Sequence, residues 1–507
     1  MFRMHKILGV SAALAVTLSG PLVARSMDPT AKPPALTGQV VSPDSYDSLT
    51  DRLQPALAEE RWADALAILK AMAAHPDFPL VNADARLATF YLTGILSLEL
   101  DRPEAAVATL VTATGMRGAT ADHWFRRIEA ENRSGDRTAA TRSLIQMLQR
   151  FPASLSDVSR LYMLQQATDP NLDKAAGFEL RATLLAADWH DDAESSVWMI
   201  HIDELMDQGE TDRARTVARR VTSPPDVIQL HAMRRYDPLT ADSPPINIES
   251  LMATALTQKR LKVIAPDADL AAYSSLSYAL FNRGELVEAL ATADTALALP
   301  EPAAGTDAAR DRVWIMDTRA RTLMALGRYE EAVTQMQAAA ARHEEGGVNV
   351  SQTINLSWLY LRLNRNAEAL ALMAGFDEST ASPFGAMQAA QIRACAATAL
   401  SGGAAAETAY AYLASHWRDA PRAAIDALLC RDDIDGAAAV MIKRLEDPDL
   451  AADALSELHQ YLPSPAPTPF DARLNAGDAA MAAMPEVIAA RDRVGRVFSV
   501  PTLGGQF

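Results

Sequence analysis

Beyond Ser26 this chain has no apolar stretch approaching the roughly 18 residues that a membrane-spanning helix needs, which excludes a further spanning segment. Glycine (23) and proline (28) are too sparse for a collagen-like or low-complexity chain. Positive charge is also short. The 47 Lys+Arg, only seven of them lysine, face 64 Asp+Glu, and the net −17 repels phosphate and excludes nucleic acid as the main partner. There is no Gly-rich phosphate loop with a lysine and no Gly-x-Ser-x-Gly elbow. His190 stands beside Asp191 and Asp192, and His201 near Asp203 and Glu204, but neither group has the second histidine, one helical turn away, that a zinc-protease helix needs. The acidic pairs Glu330-Glu331 and Asp432-Asp433 fall at turn-to-helix junctions, where carboxylates favour the helix dipole. The sequence therefore offers no catalytic residue, no metal-ligand set and no cofactor site, and reads as non-enzymatic.

Alanine is abundant, at 98 of 507 residues or about 19% of the chain. It is the strongest helix former, and with 49% hydrophobic residues the composition points to a soluble, acidic, helical protein. Residues 1–26 order a basic start (Arg3, Lys6), an apolar run from Ile7 to Leu18, and small residues at Ala24 and Ser26. That is the pattern of a secretory signal, cut after Ser26 or after Ala24, and about 12 apolar residues are too few to span a bilayer. The expectation is an exported protein, periplasmic or outer-membrane associated, with no transmembrane helix in the mature chain. Residues 27–45, with Pro29, Pro33, Pro34 and Pro43, read as a disordered tether.

The body of the chain repeats. YALFNRGELVEALATADTALALP from Tyr278, LMALGRYEEAVTQMQAAAA from Leu323 and YLRLNRNAEALALMAG from Tyr360 share one plan. Each is a helix, a turn with Gly or Asn, and a second helix opening on Glu-Ala. Glycine and asparagine suit a turn that leaves the helix with positive φ. Registered on the small residue of the second helix, the units fall on Ala65, Ala106, Ala140, Ala214, Ala289, Ala332, Ala369 and, loosely, Ala406. The gaps from Ala140 to Ala214 and from Ala214 to Ala289 are each about twice a repeat, and predict degenerate units near 155–190 and 226–266. The pattern resembles the tetratricopeptide repeat, a helical hairpin of about 34 residues. Trp124 and Trp198 sit where that family prefers an aromatic early in the first helix, and Gly94 matches its close-packing glycine.

The resemblance implies an all-α solenoid of helical hairpins in two blocks with a proline-rich joint. The repeats occupy 46–222 and 267–462. Between them, 223–266 forms an irregular joint around Ser223-Pro224-Pro225 and Ser243-Pro244-Pro245, then one helix from 248 to 265. Residues 463–507 supply a proline linker, capping helix or helices over the last repeat, and a loose tail from Pro501. Cys395 and Cys430 lie about one repeat length apart. A bridge is geometrically open to them, but buried free thiols are the expected state.

For function, the resemblance implies a non-catalytic protein–protein interaction scaffold without cofactor. In exported members it serves assembly or secretion machines, polysaccharide export among them, and the partners are proteins or peptides of the bacterial envelope. The alternative is an α/α-array enzyme acting on carbohydrate, which would need paired acids in a cleft. In the resembled family the concave face is lined by the first helix of each hairpin. On units beginning at Leu270, Val313 and Val350 this face offers Ser274, Tyr278, Phe281 and Asn282; Trp314, Asp317, Arg321 and Met324; and Ser351, Asn355, Trp358 and Arg362. Phe281, Met324 and Trp358 are expected to pack in the seams. Asn282, Asp317, Arg321, Asn355 and Arg362 resist burial without partners and are the expected groove residues, with Tyr278 and Trp314 as aromatic anchors and Trp358 counted among the partner-binding candidates. The family's Lys and Asn positions for a chain-terminal carboxylate are not reproduced.

Overall fold

In the computed structural model, which describes residues 45–190, 194–342 and 349–504, the alanines that set the repeat phase all lie buried in the second helix of a helix pair. The signal and all but Ser45 of the tether lie outside the described residues, as do Asp191 and Asp192. The described residues form twenty-six α-helices and one two-stranded sheet. The chain divides into two compact units, one ending at Val221 and one beginning at Thr222.

The first unit stacks five helix pairs. They are α1 (Tyr46–Ala58) with α2 (Trp62–Ala74), α3 (Ala83–Glu99) with α4 (Pro103–Gly115), α5 (Ala121–Arg133) with α6 (Arg137–Arg150), α7 (Arg160–Thr168) with α8 (Lys174–Ala186), and α9 (Glu194–Asp207) with α10 (Thr211–Ala218). The α7–α8 pair fills the first long gap in the alanine spacing. Trp124 and Trp198 are buried in α5 and α9. Gly94 permits a close helix approach, because a Cβ there would lie 2.4 Å from Leu110 Cγ on α4.

The second unit opens with α11 (Pro224–Ala232) and the one-turn α12 (Asp237–Thr240), then α13 (Ile248–Val263). The joint is thus only partly irregular. Pro224 and Pro225 begin a helix instead of breaking one, since the first turn needs no N–H from them. Five pairs follow: α14 (Leu270–Asn282) with α15 (Leu286–Leu297), α16 (Asp307–Ala325) with α17 (Tyr329–Ala340), α18 (Val350–Arg362) with α19 (Asn366–Ala374), α20 (Pro383–Ala399) with α21 (Gly403–Ser415), and α22 (Pro421–Cys430) with α23 (Ile434–Glu446). A short α24 (Ala451–Glu457) leads into β1 (Gln460–Leu462), α25 (Pro469–Ala482), α26 (Pro485–Val494) and β2 (Ser499–Leu503). The turns at Gly284, Gly327 and Asn364 have positive φ, but so do those at Glu60, Asp101, Asp188, Ser401 and Asp432. There the same closing bond, such as Arg61 N–H to the Ala56 carbonyl at 2.8 Å, offsets the roughly 1 kcal/mol of left-handed strain.

Two expectations are corrected. The tail is not loose through Gly504, because Ser499–Leu503 pairs in parallel with β1, Gln460 opposite Ser499 and Tyr461 opposite Val500. Leu503 is buried with Leu256, Leu276, Leu280 and Phe281, so the C-terminal arm returns to the unit's first helices instead of only capping its last repeat. Gly495 bridges Met233, and the Arg496 N–H donates to the Ala232 carbonyl at 2.9 Å. Second, Cys395 and Cys430 are not free thiols. They form a disulfide with Cα atoms 5.3 Å apart, tying α20 to α22. Both first helices present the same face at equivalent repeat positions, which brings the two sulfurs together. No helix among the described residues is long and apolar enough to cross a membrane.

Candidate functional site

The first helices α14, α16 and α18 carry the face expected to bind a partner. Their starts are set by side-chain caps: Asp269 accepts from the Ala272 N–H at 2.9 Å, Thr306 from Ala309 at 3.2 Å, and Asn349 from Gln352 at 3.1 Å. Phe281 and Met324 are buried between helices, where the seam needs them. Tyr278 and Trp314, on consecutive first helices, remain 53% and 41% exposed. Asn282 is half-buried beside the α14–α15 turn.

The polar residues of this face are joined to one another. Arg321 Nε donates to both oxygens of Asp317, at 2.8 and 3.0 Å. Asn355 Nδ2 on α18 reaches the same carboxylate at 3.2 Å. Burial works against the charge on Arg321, but Asp317 more than offsets it and holds the guanidinium's pKa above its ordinary value. Asp317 itself is buried, so the expectation that it would stay in the groove for lack of partners is corrected: it goes inside because Arg321 and Asn355 pair with it.

Arg362 is corrected in the same way. It is only 9% exposed and makes a two-pronged bond to Asp471 of α25, Nε to Oδ1 at 2.8 Å and Nη2 to Oδ2 at 2.9 Å. Trp358 is half-buried rather than fully in the seam. Its Nε1 donates to Gln388 Oε1 at 3.0 Å, and its ring meets Phe470 of α25 edge to face, centroids 6.0 Å apart. Charge reversal at Arg321 or Arg362 would strand Asp317 or Asp471, and so would change stability together with binding.

Sequence reasoning missed this use of α25. Asp471 reads as the third residue of a helix-capping box, and it is one: it accepts from the Thr468 N–H at 2.9 Å while Thr468 Oγ1 accepts from the Asp471 N–H at 3.1 Å. Its second bond, to Arg362, has no local signal. Further along, Arg422 Nη2 on α22 lies 2.5 Å from Asp478 Oδ2 and 2.6 Å from Asp426 Oδ1. Glu457 accepts two bonds from Arg444, each 2.6 Å, and Gln391 Nε2 donates to Asp426 at 2.9 Å. Burial pushes the Asp426 carboxyl up to about 6 despite Arg422. The two carboxylates on Arg422 are neighbours, as a glycosidase's acid pair would be, but they share one guanidinium beneath α25 rather than face a cleft. His201, fully buried, lies 3.4 Å from Glu204 and packs on the Phe178 ring, as a core histidine does.

Helix pairs in sequence order, each second helix burying a small residue against the first, make both arrays tetratricopeptide-like in fold. No protein-family profile matches the sequence, and no curated protein does. Among solved structures the chain is similar to yeast Tom70, with 10% identity over 88% of this chain and 98% of that one and a TM-score of 0.32. It is also similar to the Cut9–Hcn1 hetero-tetramer of APC/C, with 10% identity, 89% and 90% coverage and a TM-score of 0.28. A third similar chain is the TPR domain of P58(IPK), with 14% identity, 78% and 98% coverage and a TM-score of 0.19.

Proposed function

We propose that this protein is a non-catalytic scaffold of the bacterial cell envelope that captures a protein partner on the first-helix face of α14, α16 and α18. One observation carries the reading: Tyr278 and Trp314 stay exposed on consecutive first helices, beside the polar group of Asp317, Arg321 and Asn355. Tyrosine and tryptophan side chains dominate binding energy at protein interfaces. Export is part of the proposal. Its support is the basic, apolar and small-residue order of residues 1–26 together with the Cys395–Cys430 bridge, because disulfides persist in oxidising compartments. The narrower form of the reading places the protein in an envelope assembly or secretion machine, polysaccharide export among them.

The test is affinity capture from the native envelope, followed by mass spectrometry, with wild-type protein and with Tyr278→Ala/Trp314→Ala. Both side chains are exposed, so the double variant should keep its stability within about 0.5 kcal/mol per site and lose the partner. Capture that survives the double substitution defeats the assignment of this face. Fractionation should find a protein that begins at or near Met27 outside the cytoplasm. An intact N-terminus on cytoplasmic protein would defeat export.

A further inference from the structure

Helix α25 is seated on the second unit by charge as well as by apolar burial. Of its 14 residues only Leu474 and Met481 are buried. Its other anchors are the Phe470–Trp358 edge contact, the two-pronged Asp471–Arg362 bond, and Asp478 on Arg422 at 2.5 Å. Phe470, Leu474, Asp478 and Met481 follow one another at helical spacing, so a single stripe of α25 faces the array, with Asp471 at its edge. Trp358 and Arg362 on α18 and Arg422 on α22 receive it from first helices of the repeats, and the second helix α23 packs against it as well. That is the helix-in-groove mode of recognition, with the ligand supplied in cis.

Four prolines, Pro463, Pro465, Pro467 and Pro469, stand between β1 and the body of α25. Where it approaches α22 the helix has no side chain: a Cβ on Gly477 would come 3.0 Å from Leu429 Cδ2. The Cys395–Cys430 bridge ties α20 to α22, the helix that carries Arg422. The two seat arginines also select the class of ligand. A guanidinium that is taken out of water needs a carboxylate placed for paired hydrogen bonds.

We propose that the α25 seat is a recognition site for an acidic helix, filled in cis by α25 and open in trans to a partner helix of the same chemistry. That partner presents an aromatic residue followed directly by a carboxylate, with a second carboxylate two helical turns beyond the first. The inference is independent of capture at Tyr278 and Trp314, which α25 leaves exposed. A tethered helix has a high effective concentration, so α25 excludes weak ligands and yields only to a well-matched one or to a change that loosens it.

The probe is a labelled synthetic peptide with the sequence of residues 467–484, titrated into full-length protein and followed by fluorescence anisotropy. Wild type should bind it weakly, because the seat is full. Full-length Asp471→Lys/Asp478→Lys repels its own helix from Arg362 and Arg422, and should bind the wild-type peptide about 100-fold more tightly than wild type does. Adding Arg362→Ala to that variant should remove the gain. The milder Asp471→Asn/Asp478→Asn protein serves the same purpose if the reversal unfolds, and hydrogen exchange reports whether α25 has undocked. The proposal is overturned if α25 amides exchange freely while the peptide still does not bind. It is equally overturned if the helix stays protected until the whole unit unfolds in both variants, which would make it an integral core element. Dimers that exchange arms without binding the peptide would overturn it in favour of a second copy as the occupant.

Discussion

Breaking the Cys395–Cys430 bridge should destabilise the second unit and leave the first unchanged. The bridge spans 35 positions and links α20 to α22 with both residues buried. Releasing a loop of that length gives the unfolded chain conformational freedom worth about 3.8 kcal/mol on the chain-entropy relation. Replacing each cysteine by alanine removes only one small atom from the core, so packing adds little. In a unit of this size each kcal/mol moves the midpoint by about 2–4 °C, which puts the expected fall at about 8–15 °C. The freed chain also exposes more surface, so the denaturant slope should rise on reduction. The assay is differential scanning calorimetry on wild type and Cys395→Ala/Cys430→Ala, each with and without reductant. The variant should match reduced wild type and ignore the reductant, and the transition that does not move belongs to the first unit. A second-unit midpoint that shifts by less than about 2 °C would refute the magnitude. Two titratable thiols in unfolded, unreduced protein would refute the bridge itself.

Gly94→Ala should cost the first unit about 1–3 kcal/mol by driving a methyl into Leu110, and Leu110→Ala in the same chain should recover part of it in urea titrations. His459 accepts the Phe498 N–H through Nδ1 at 3.3 Å, and burial lowers its pKa to about 4. Its contribution is therefore present above the unfolded value of about 6.5 and is lost as pH falls towards 4, up to about 3 kcal/mol. Asp426 runs the other way: pushed up to about 6 by burial, its contribution is present below the ordinary value of 3.8 and is lost as pH rises through 6. The two slopes oppose each other between 4 and 6, so Asp426→Asn should steepen the acid loss of second-unit stability there, and an unchanged slope in urea midpoints against pH would count against the Asp426 assignment. Gly495→Ala should release the arm from the unit's first helices, because its methyl would meet the Ala232 carbonyl at 2.4 Å; protection of the Phe498 amide against hydrogen exchange should fall, and retained protection would contradict this.

The repeat itself was legible because it is a local rule. A second helix can approach the first only where its side chain is small, so Ala65, Ala106, Ala140, Ala214, Ala289, Ala332 and Ala369 recur in phase and all are buried. The turn rule was readable only in part. Gly284, Gly327 and Asn364 follow the propensity for positive φ, while Glu60, Ser401 and Asp432 adopt it because helices on both sides impose it. On the candidate face, Tyr278 and Trp314 are exposed on first helices, where helix phase points them away from the seam.

The helical class, the hairpin phase and the face each first helix presents depend on neighbours a few residues away, and so are written locally in the chain. Which charges on that face are already paired depends on contacts made across the fold. Asp471 lies 109 positions from Arg362, and Leu503 joins a cluster built from α13 to α16, so neither contact leaves a period or a motif in the chain. Whether a charged side chain stays in solvent or goes inside depends on the free energy of its final pairing, and that pairing exists only once the C-terminal arm has folded back over the array.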